Sequence, residues 1–296
     1  MYQFRINPSN SKFTTISSSI TGLIIEYIGN YFTKKITFRY PKINFICIDN
    51  LNSYYDKRIK HLRVKQLKKI KNIKFFKLDI KDKIKINALF KKYRFKEIYH
   101  FAAQAGVRYS ETNPQAYIDS NITGFSNIIE ASKKNKIIKF FYSSSSSVYG
   151  DYKNSPFKEN DKLRPKSLYA LTKKFNEELA KTYFDNYKFK SIGLRFFTVI
   201  GESGRPDMLI NKYLDASFNK KKFYLNNRGR GERDFTYIYD VVDIILKLRN
   251  KSIKKNEVFN ICGNNTTKLQ TILKILAKEA PELNIMERKA NKLDVL

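Results

Sequence analysis

Tyr169 and Lys173, in the stretch YALTK, stand four residues apart, a spacing that on a helix puts both side chains on one face. A tyrosine with its ordinary pKa of about 10 is a poor base at neutral pH. An ammonium beside it favours the phenolate, which can then take a proton from an alcohol such as a sugar hydroxyl. Such pairs recur on ordinary surface helices, so the spacing needs a context. Upstream, FFYSSSSSVYG runs from an apolar segment into five serines, residues 143–147. A flexible linker would not follow IIKFFY and precede VYG. The serines read instead as the carboxyl end of a strand, where a hydroxyl can bridge the tyrosine and a substrate.

Those groups need a scaffold, and the chain alternates short apolar runs with longer helix-like segments. INFICID (43–49), IKFFKLDI (73–80), EIYHFAA (97–103), IIKFFYSSS (137–145) and SIGLRFF (191–197) read as buried strands. NITGFSNIIEASKKN (121–135) and YALTKKFNEELAKTYFDNY (169–187) carry apolar residues at helical spacing. Continuous strands alternating with helices predict an α/β fold, a doubly wound, Rossmann-like parallel sheet covered on both faces. Its ligands belong at the carboxyl ends of the strands. After Phe197 the sequence is richer in Gly, Asn and Arg, which predicts a smaller C-terminal substrate lobe. The expected division is 1–197 for the dinucleotide-binding domain, completed by about 232–262, with 198–231 and 263–296 forming the lobe. VVDIILKLRN (241–250) reads as an amphipathic helix and NEVFNICG (256–263) as a further buried strand.

Composition narrows the function classes. The 296 residues, 42% hydrophobic and 15% aromatic, are enough for a packed core. No apolar run approaches the ~20 residues of a membrane span, and the N-terminus lacks the pattern of a secretory signal. Cys47 and Cys262 lie far apart in apolar runs and are expected to be buried free thiols, which fits a reducing cytoplasm. No metal site is expected. The net charge of +31 invites a nucleic-acid reading, but the Lys and Arg residues are spread along the whole chain with Ile and Asn. No zinc-finger spacing, RNP-like aromatic motif or arginine-rich arm accompanies them. The basic surface is expected to attract anionic small molecules without specific nucleic-acid recognition.

Serine, then tyrosine, then lysine in this order resembles the catalytic constellation of the short-chain dehydrogenase/reductase superfamily. HFAAQAGVRYSETNPQAYIDSNITGFSNIIEAS, SSSSSVYG, SLYALTKK, GLRFFTVIG, GRPDM and RDFTYIYD resemble its extended, nucleotide-sugar-modifying branch, the NAD-dependent epimerases and dehydratases. DNLNSYYD (49–56), AAQAGVRYS and LRFFTVIGESGRPDM are most similar to bacterial UDP-glucuronate 4-epimerases. The resemblance runs from about Phe45 to about Cys262.

The resemblance implies NAD as cofactor and 4-epimerisation of a UDP-sugar, UDP-glucuronate to UDP-galacturonate, through a 4-keto intermediate. Tyr169 would exchange the C4 hydroxyl proton, Lys173 would lower its pKa and hold the nicotinamide ribose, and Ser145 would orient the hydroxyl. Asp49 would accept from the adenosine ribose, which favours NAD over NADP. Asp79 and Ile80 would border the adenine. Ala102, Ala103 and Gln104 would line the dinucleotide, with Asn121 on a neighbouring helix. Ser146, Ser147, Thr198 and Arg205 would surround the sugar carboxylate, while Arg233 and the turn at Gly229 would face the UDP. The expected partners are the UDP-sugar and a second copy of the chain in a homodimer, the expected compartment the cytoplasm, and the expected pathway polysaccharide biosynthesis. UDP-glucuronate decarboxylase, or another nucleotide-sugar dehydratase of the same fold, is an alternative enzyme. A catalytically impaired remnant, or a non-enzymatic partner of an intact paralogue, is an alternative of a different class.

The impaired reading comes from ITGLIIEYIG (20–29). Members of the family open with a strand and a TGxxGFIG turn. Gly22 and Gly29 align with its first and last glycines, and Glu26 replaces the middle one, where backbone should approach the pyrophosphate. A carboxylate ~4 Å from a phosphate charge costs about 4 kcal/mol at an effective dielectric of 20. The preceding FTTISSSI is also polar for a central parallel strand. The competing reading is that residues 1–42 are not the first βα unit and that TGLIIEYIG is an amphipathic helix. Tyr239 stands where the family usually has an aspartate, and Leu296 falls short of the family's C-terminal helices.

Overall fold

The computed structural model describes residues 13–17, 23–151, 156–202, 204 and 206–288, with backbone alone for Phe13–Ser17 and for the first residues of the helix that follows. In chain order, β1 (Phe13–Ser17), α1 (Leu23–Arg39), β2 (Asn44–Asp49), α2 (Lys57–Lys68), β3 (Ile73–Lys77), α3 (Lys83–Lys92) and β4 (Glu97–His100) come first. Two short helical turns, α4 (Tyr109–Thr112) and α5 (Pro114–Tyr117), lead through a π-helical stretch at Ile118–Gly124 into α6 (Phe125–Lys134). There follow β5 (Lys139–Ser145), α7 (Leu168–Tyr187), β6 (Ile192–Phe196), β7 (Thr198–Ile200), α8 (Leu209–Phe218), β8 (Phe223–Asn226) and β9 (Glu232–Tyr237). The described chain closes with α9 (Ile238–Arg249), β10 (Glu257–Ile261), β11 (Thr266–Lys268), α10 (Leu269–Glu279) and β12 (Ile285–Arg288).

Seven parallel strands form the main sheet in the order β10-β6-β5-β4-β1-β2-β3. The apolar runs of β2, β4, β5 and β6 are buried on both faces, with residues alternating between two cores, whereas β3 and β10 at the sheet edges are mostly half-buried. Phe45, Cys47, Tyr99, Phe101 and Phe141 meet Ile28, Phe32 and Ile36 of α1 and Val241, Val242 and Ile245 of α9. Ile46, Ile48, Ile98, Phe140 and Tyr142 meet Ile86 and Phe90 of α3, Phe125 and Ile128 of α6 and Ala180 of α7. Helices on both faces of a parallel sheet make the fold doubly wound, as expected. Aromatic contacts cement each core: Tyr99 stacks on Phe141 at 4.9 Å and 9°.

The smaller part is built on a three-stranded sheet, β11-β9-β7, and a two-stranded one, β12-β8. Tyr213, Ala216, Phe223, Leu225 and Leu273 form its separate core. Because β9 pairs with β7 and β11, the chain returns to the main body with α9 and β10.

Two sequence expectations are corrected. Residues 13–39 are the first βα unit after all, because β1 lies centrally, paired in parallel with both β2 and β4. Glu26 falls within α1, so its helical backbone does not itself require glycine. The turn before α1, with Gly22, lies outside the described residues. The second correction concerns the cysteines, both of them free. Cys47 is buried in β2, and burial pushes its thiol up to about 12. Cys262 is only half-buried, since it follows the last residue of β10. No helix among the described residues is long and apolar enough to cross a membrane.

Candidate active site

The strand order reverses between β1 and β4, and the crevice beyond their carboxyl ends is where this architecture places a ligand. Two loops shape it. After β2, three turns follow one another: Leu51 N donates to Asp49 Oδ1 (2.7 Å), Asn52 N to Asn50 Oδ1 (2.9 Å) and Tyr54 N to Asn52 Oδ1 (3.2 Å). They fix the DNLNSYYD loop and let Leu51 adopt a left-handed backbone, φ 54°. Asn50 Nδ2 donates to Asp79 Oδ2 (2.9 Å), tying this loop to the one after β3. Ile80 is fully buried there, close enough to Gly124 that a side chain at that glycine would collide with it.

After β4, Ala102, Ala103 and Gln104 are buried. The amide of Asn121 holds them in place: Gln104 N donates to Asn121 Oδ1 (2.6 Å), and Asn121 Nδ2 donates to Gln104 O (2.9 Å) and to Thr172 Oγ1 (3.0 Å). Asn121 therefore braces the β4 loop against α7. A buried carboxylate ending β2, small side chains beyond β4 and a fixed loop fit a dinucleotide with unmodified ribose hydroxyls.

The proton-transfer candidates lie on the other side of the crevice. Ser167 caps α7 by accepting from Ala170 N (3.1 Å), which sets the first turn carrying Tyr169. Tyr169 is 4% exposed, and its ring meets Tyr117 edge-on at 6.2 Å. The Tyr117 hydroxyl donates to Ala105 O (2.8 Å), so that wall is itself fixed. One turn on, Lys173 Nζ donates to Ser143 O (3.0 Å) and Ser143 Oγ (3.1 Å). Ser145 ends β5 and accepts from Ser147 N (3.2 Å) and Ser147 Oγ (2.9 Å), closing a 3-10 turn over Ser146–Tyr149. Gly150 ends that turn with φ 64°, a left-handed position where a side chain would strike the Arg164 carbonyl.

The remaining predicted residues divide. Thr198 opens β7 two residues beyond Phe196, the β6 partner of Ser145, and so sits at the same end of the sheet. Ser146 and Ser147 are half-buried beside it. Arg233 lies on β9 and donates from Nη1 to the Glu232 carbonyl (2.7 Å). Gly229 has φ 67° and packs against Leu225 and Leu273, so it shapes its turn from within the small core. Gly29 is buried in the middle of α1, its carbonyl accepting from Thr33 Oγ1 (2.6 Å). Gly22 and Arg205 lie outside the described residues. Tyr239 is part-exposed, its ring 5.5 Å from Tyr31 and 5.3 Å from Tyr237.

Sequence reasoning passed over a second buried group behind Lys173. Glu177, one further turn along α7, accepts from Arg195 Nε (2.9 Å) and Nη2 (2.8 Å) and from Ser144 Oγ. Arg195 Nη1 also donates to Tyr149 Oη (2.7 Å) and Glu159 O (2.9 Å). Burial works against the Arg195 charge, yet the Glu177 carboxylate outweighs it and holds the guanidinium above its ordinary pKa. A lone arginine inside the apolar run GLRFF was the available signal, since a charge there demands a partner. Burial pushes Lys173 down to about 7, with Glu177 opposing. Burial first, and then the Lys173 charge, pushes His100 at the end of β4 down to about 3, so it stays neutral.

Comparison with known proteins places this arrangement. The sequence profile of the NAD dependent epimerase/dehydratase family matches residues 25–262. An uncharacterised protein of Methanocaldococcus jannaschii is 44% identical over 256 residues, 85% of this chain and 77% of that one. The UDP-glucuronate 4-epimerase of Thermodesulfobacterium geofontis is 38% identical over 234 residues, 78% of this chain and 71% of that one. The crystal structure of UDP-glucuronic acid 4-epimerase from Bacillus cereus, in complex with UDP-glucuronic acid and NAD, superposes with a TM-score of 0.85. It is 27% identical, and the match covers 94% of this chain and 86% of that one.

The buried lysine leaves a mark on stability. An unfolded lysine keeps its ordinary pKa near 10.4. Between about pH 7 and 10 the unfolded state therefore binds more protons than the folded one, and stability rises with pH. From pH 7 to 9 the contribution of Lys173 amounts to about 2 kcal/mol. Urea unfolding at both pH values is expected to show wild type gaining about that much more than Lys173→Met; equal gains would contradict the lowered pKa of the buried lysine.

Proposed function

The chain belongs to the NAD-dependent epimerase/dehydratase family, and from that premise we propose that it interconverts UDP-glucuronate and UDP-galacturonate at the sugar C4. One observation carries the reading. Tyr169 and Lys173 are buried on a single face of α7, with Lys173 anchored on the strand that ends in Ser145 at the crevice. The choice of UDP-glucuronate is supported by the relatives of that named activity.

In this reading NAD, when bound, accepts the C4 hydride and returns it to the opposite face. Asp49 holds its adenosine ribose, Asp79 and Ile80 border the adenine, and Ala102, Ala103 and Gln104 line the dinucleotide. The chain's own residues move the proton. Tyr169 takes it from the C4 hydroxyl and gives it back, Ser145 orients that hydroxyl, and the Lys173 ammonium lowers the cost of the phenolate. Ser146, Ser147 and Thr198 surround the carboxylate that separates a uronic acid from a neutral hexose, and the family resemblance adds Arg205. Arg233 and the Gly229 turn take the UDP. Glu26, on α1, adds a negative charge that weakens NAD without abolishing it.

Two measurements follow. Tyr169→Phe keeps the ring and its packing, and is expected to lower turnover at least a hundredfold with an unchanged urea midpoint. Turnover within tenfold of wild type would remove Tyr169 as the base. Glu26→Gln, titrated with NAD in a calorimeter, is expected to bind at least tenfold more tightly than wild type. An unchanged Kd would show that the carboxylate does not reach the phosphates.

A further inference from the structure

The five consecutive serines are not equivalent, and their partners single out a residue that the reaction as described does not use. Ser145 is turned into its own 3-10 turn at the crevice. Ser143 receives the Lys173 ammonium, and its neighbour Ser144 donates to the Glu177 carboxylate. Adjacent hydroxyls of one strand thus hold opposite charges from one helix, and those charges stand four residues apart on α7. On the far side, Arg195 grips both oxygens of Glu177, and the pair is 4% and 6% exposed. Tyr149 and Asn260 close the group behind Arg195, with Tyr149 Oη donating to Asn260 Oδ1 (2.7 Å).

An ion pair this deeply buried is costly to desolvate, and for stability alone apolar residues of similar volume serve as well. Its position is the informative part. Tyr169, Lys173 and Glu177 follow one another at single-turn intervals along one face of α7, so the pair sits directly behind the lysine that serves the tyrosine. Other elements also face Lys173. β4 presents His100, which stays neutral, β5 presents Ser143, and the π-helical stretch contributes Asn121 through Thr172. Glu177 is the carboxylate of α7 whose charge acts on Lys173, while its neighbour Glu178 is exposed.

We propose that Glu177 is a positioning residue for the proton-transfer pair: clamped by Arg195 and Ser144, it supplies the fixed negative charge that keeps the Lys173 ammonium seated on Ser143 and available to Tyr169. This deepens the epimerase reading. Arg195 prevents Glu177 from collapsing onto Lys173 as a closed ion pair, because both carboxylate oxygens are already engaged. Lys173 consequently stays on the serine side, one turn from Tyr169.

The test reads Lys173 itself and needs neither cofactor nor turnover, so its outcome is independent of whether the chain epimerises UDP-glucuronate. Protein carrying lysine labelled with 13C at Cε is titrated by NMR, and the Lys173 signal is identified by its absence from Lys173→Met. In Glu177→Gln the midpoint is expected to fall by about one pH unit or more. The same direction is expected in Glu177→Gln combined with Arg195→Met, which leaves no guanidinium buried without a counter-charge and so protects the test against misfolding. A midpoint that is unchanged or raised in the folded variants would overturn the proposal. A role confined to packing predicts the rise, because a loosened interior admits water and returns a lysine toward its ordinary value.

Discussion

An ammonium taken out of water must find acceptors and a counter-charge within reach, and the centre of this molecule is organised by how Lys173 meets that demand. Its acceptors are the carbonyl and hydroxyl of Ser143, available because β5 runs out into serines at the end of the sheet. Its counter-charge is Glu177, which would itself be a costly buried carboxylate without Arg195 from β6 and Ser144 from β5. Placing these groups requires β5 and β6 in register, with Ser144 opposite Arg195, and α7 laid across them. The parallel sheet is what makes the lysine tolerable, and in the proposed function that lysine serves Tyr169.

The fold was legible because β2, β4, β5 and β6 are buried on both faces and therefore appear as continuous apolar runs. β1 was the exception. FTTIS is polar by residue type, yet it lies between β2 and β4, and backbone pairing on both edges does not show in side-chain chemistry. The proton-transfer triad was legible in residue order, whereas the division of labour within the serine run was not. Five identical side chains differ only by strand alternation and by partners 30 and 33 residues further along the chain. The bracing of the β4 loop by Asn121 was not legible either, because its amide is engaged by the backbone of Gln104, 17 residues away in the chain.

The charge excess also takes on a local meaning. Lysines on α3 and α10, and those on α2 other than Lys60, line solvent-facing positions, in keeping with a basic surface that attracts anions without base-specific geometry. Buried cations behave differently, since each has a dedicated partner. Lys60 donates to Asn52 Oδ1 (2.7 Å) beneath the DNLNSYYD loop, and Arg195 engages Glu177. Charge in this chain is structural where it is buried and generic where it is exposed.

The most direct test of the account follows the hydrogen on the sugar. UDP-glucuronate carrying deuterium at C4 is incubated with the protein and saturating NAD, and the products are read by NMR and mass. The account predicts UDP-galacturonate that keeps its deuterium at C4, because the hydride returns to the carbon it left while Tyr169 exchanges only the hydroxyl proton. Loss of the deuterium to water, or a decarboxylated pentose in place of the uronic acid, would contradict it.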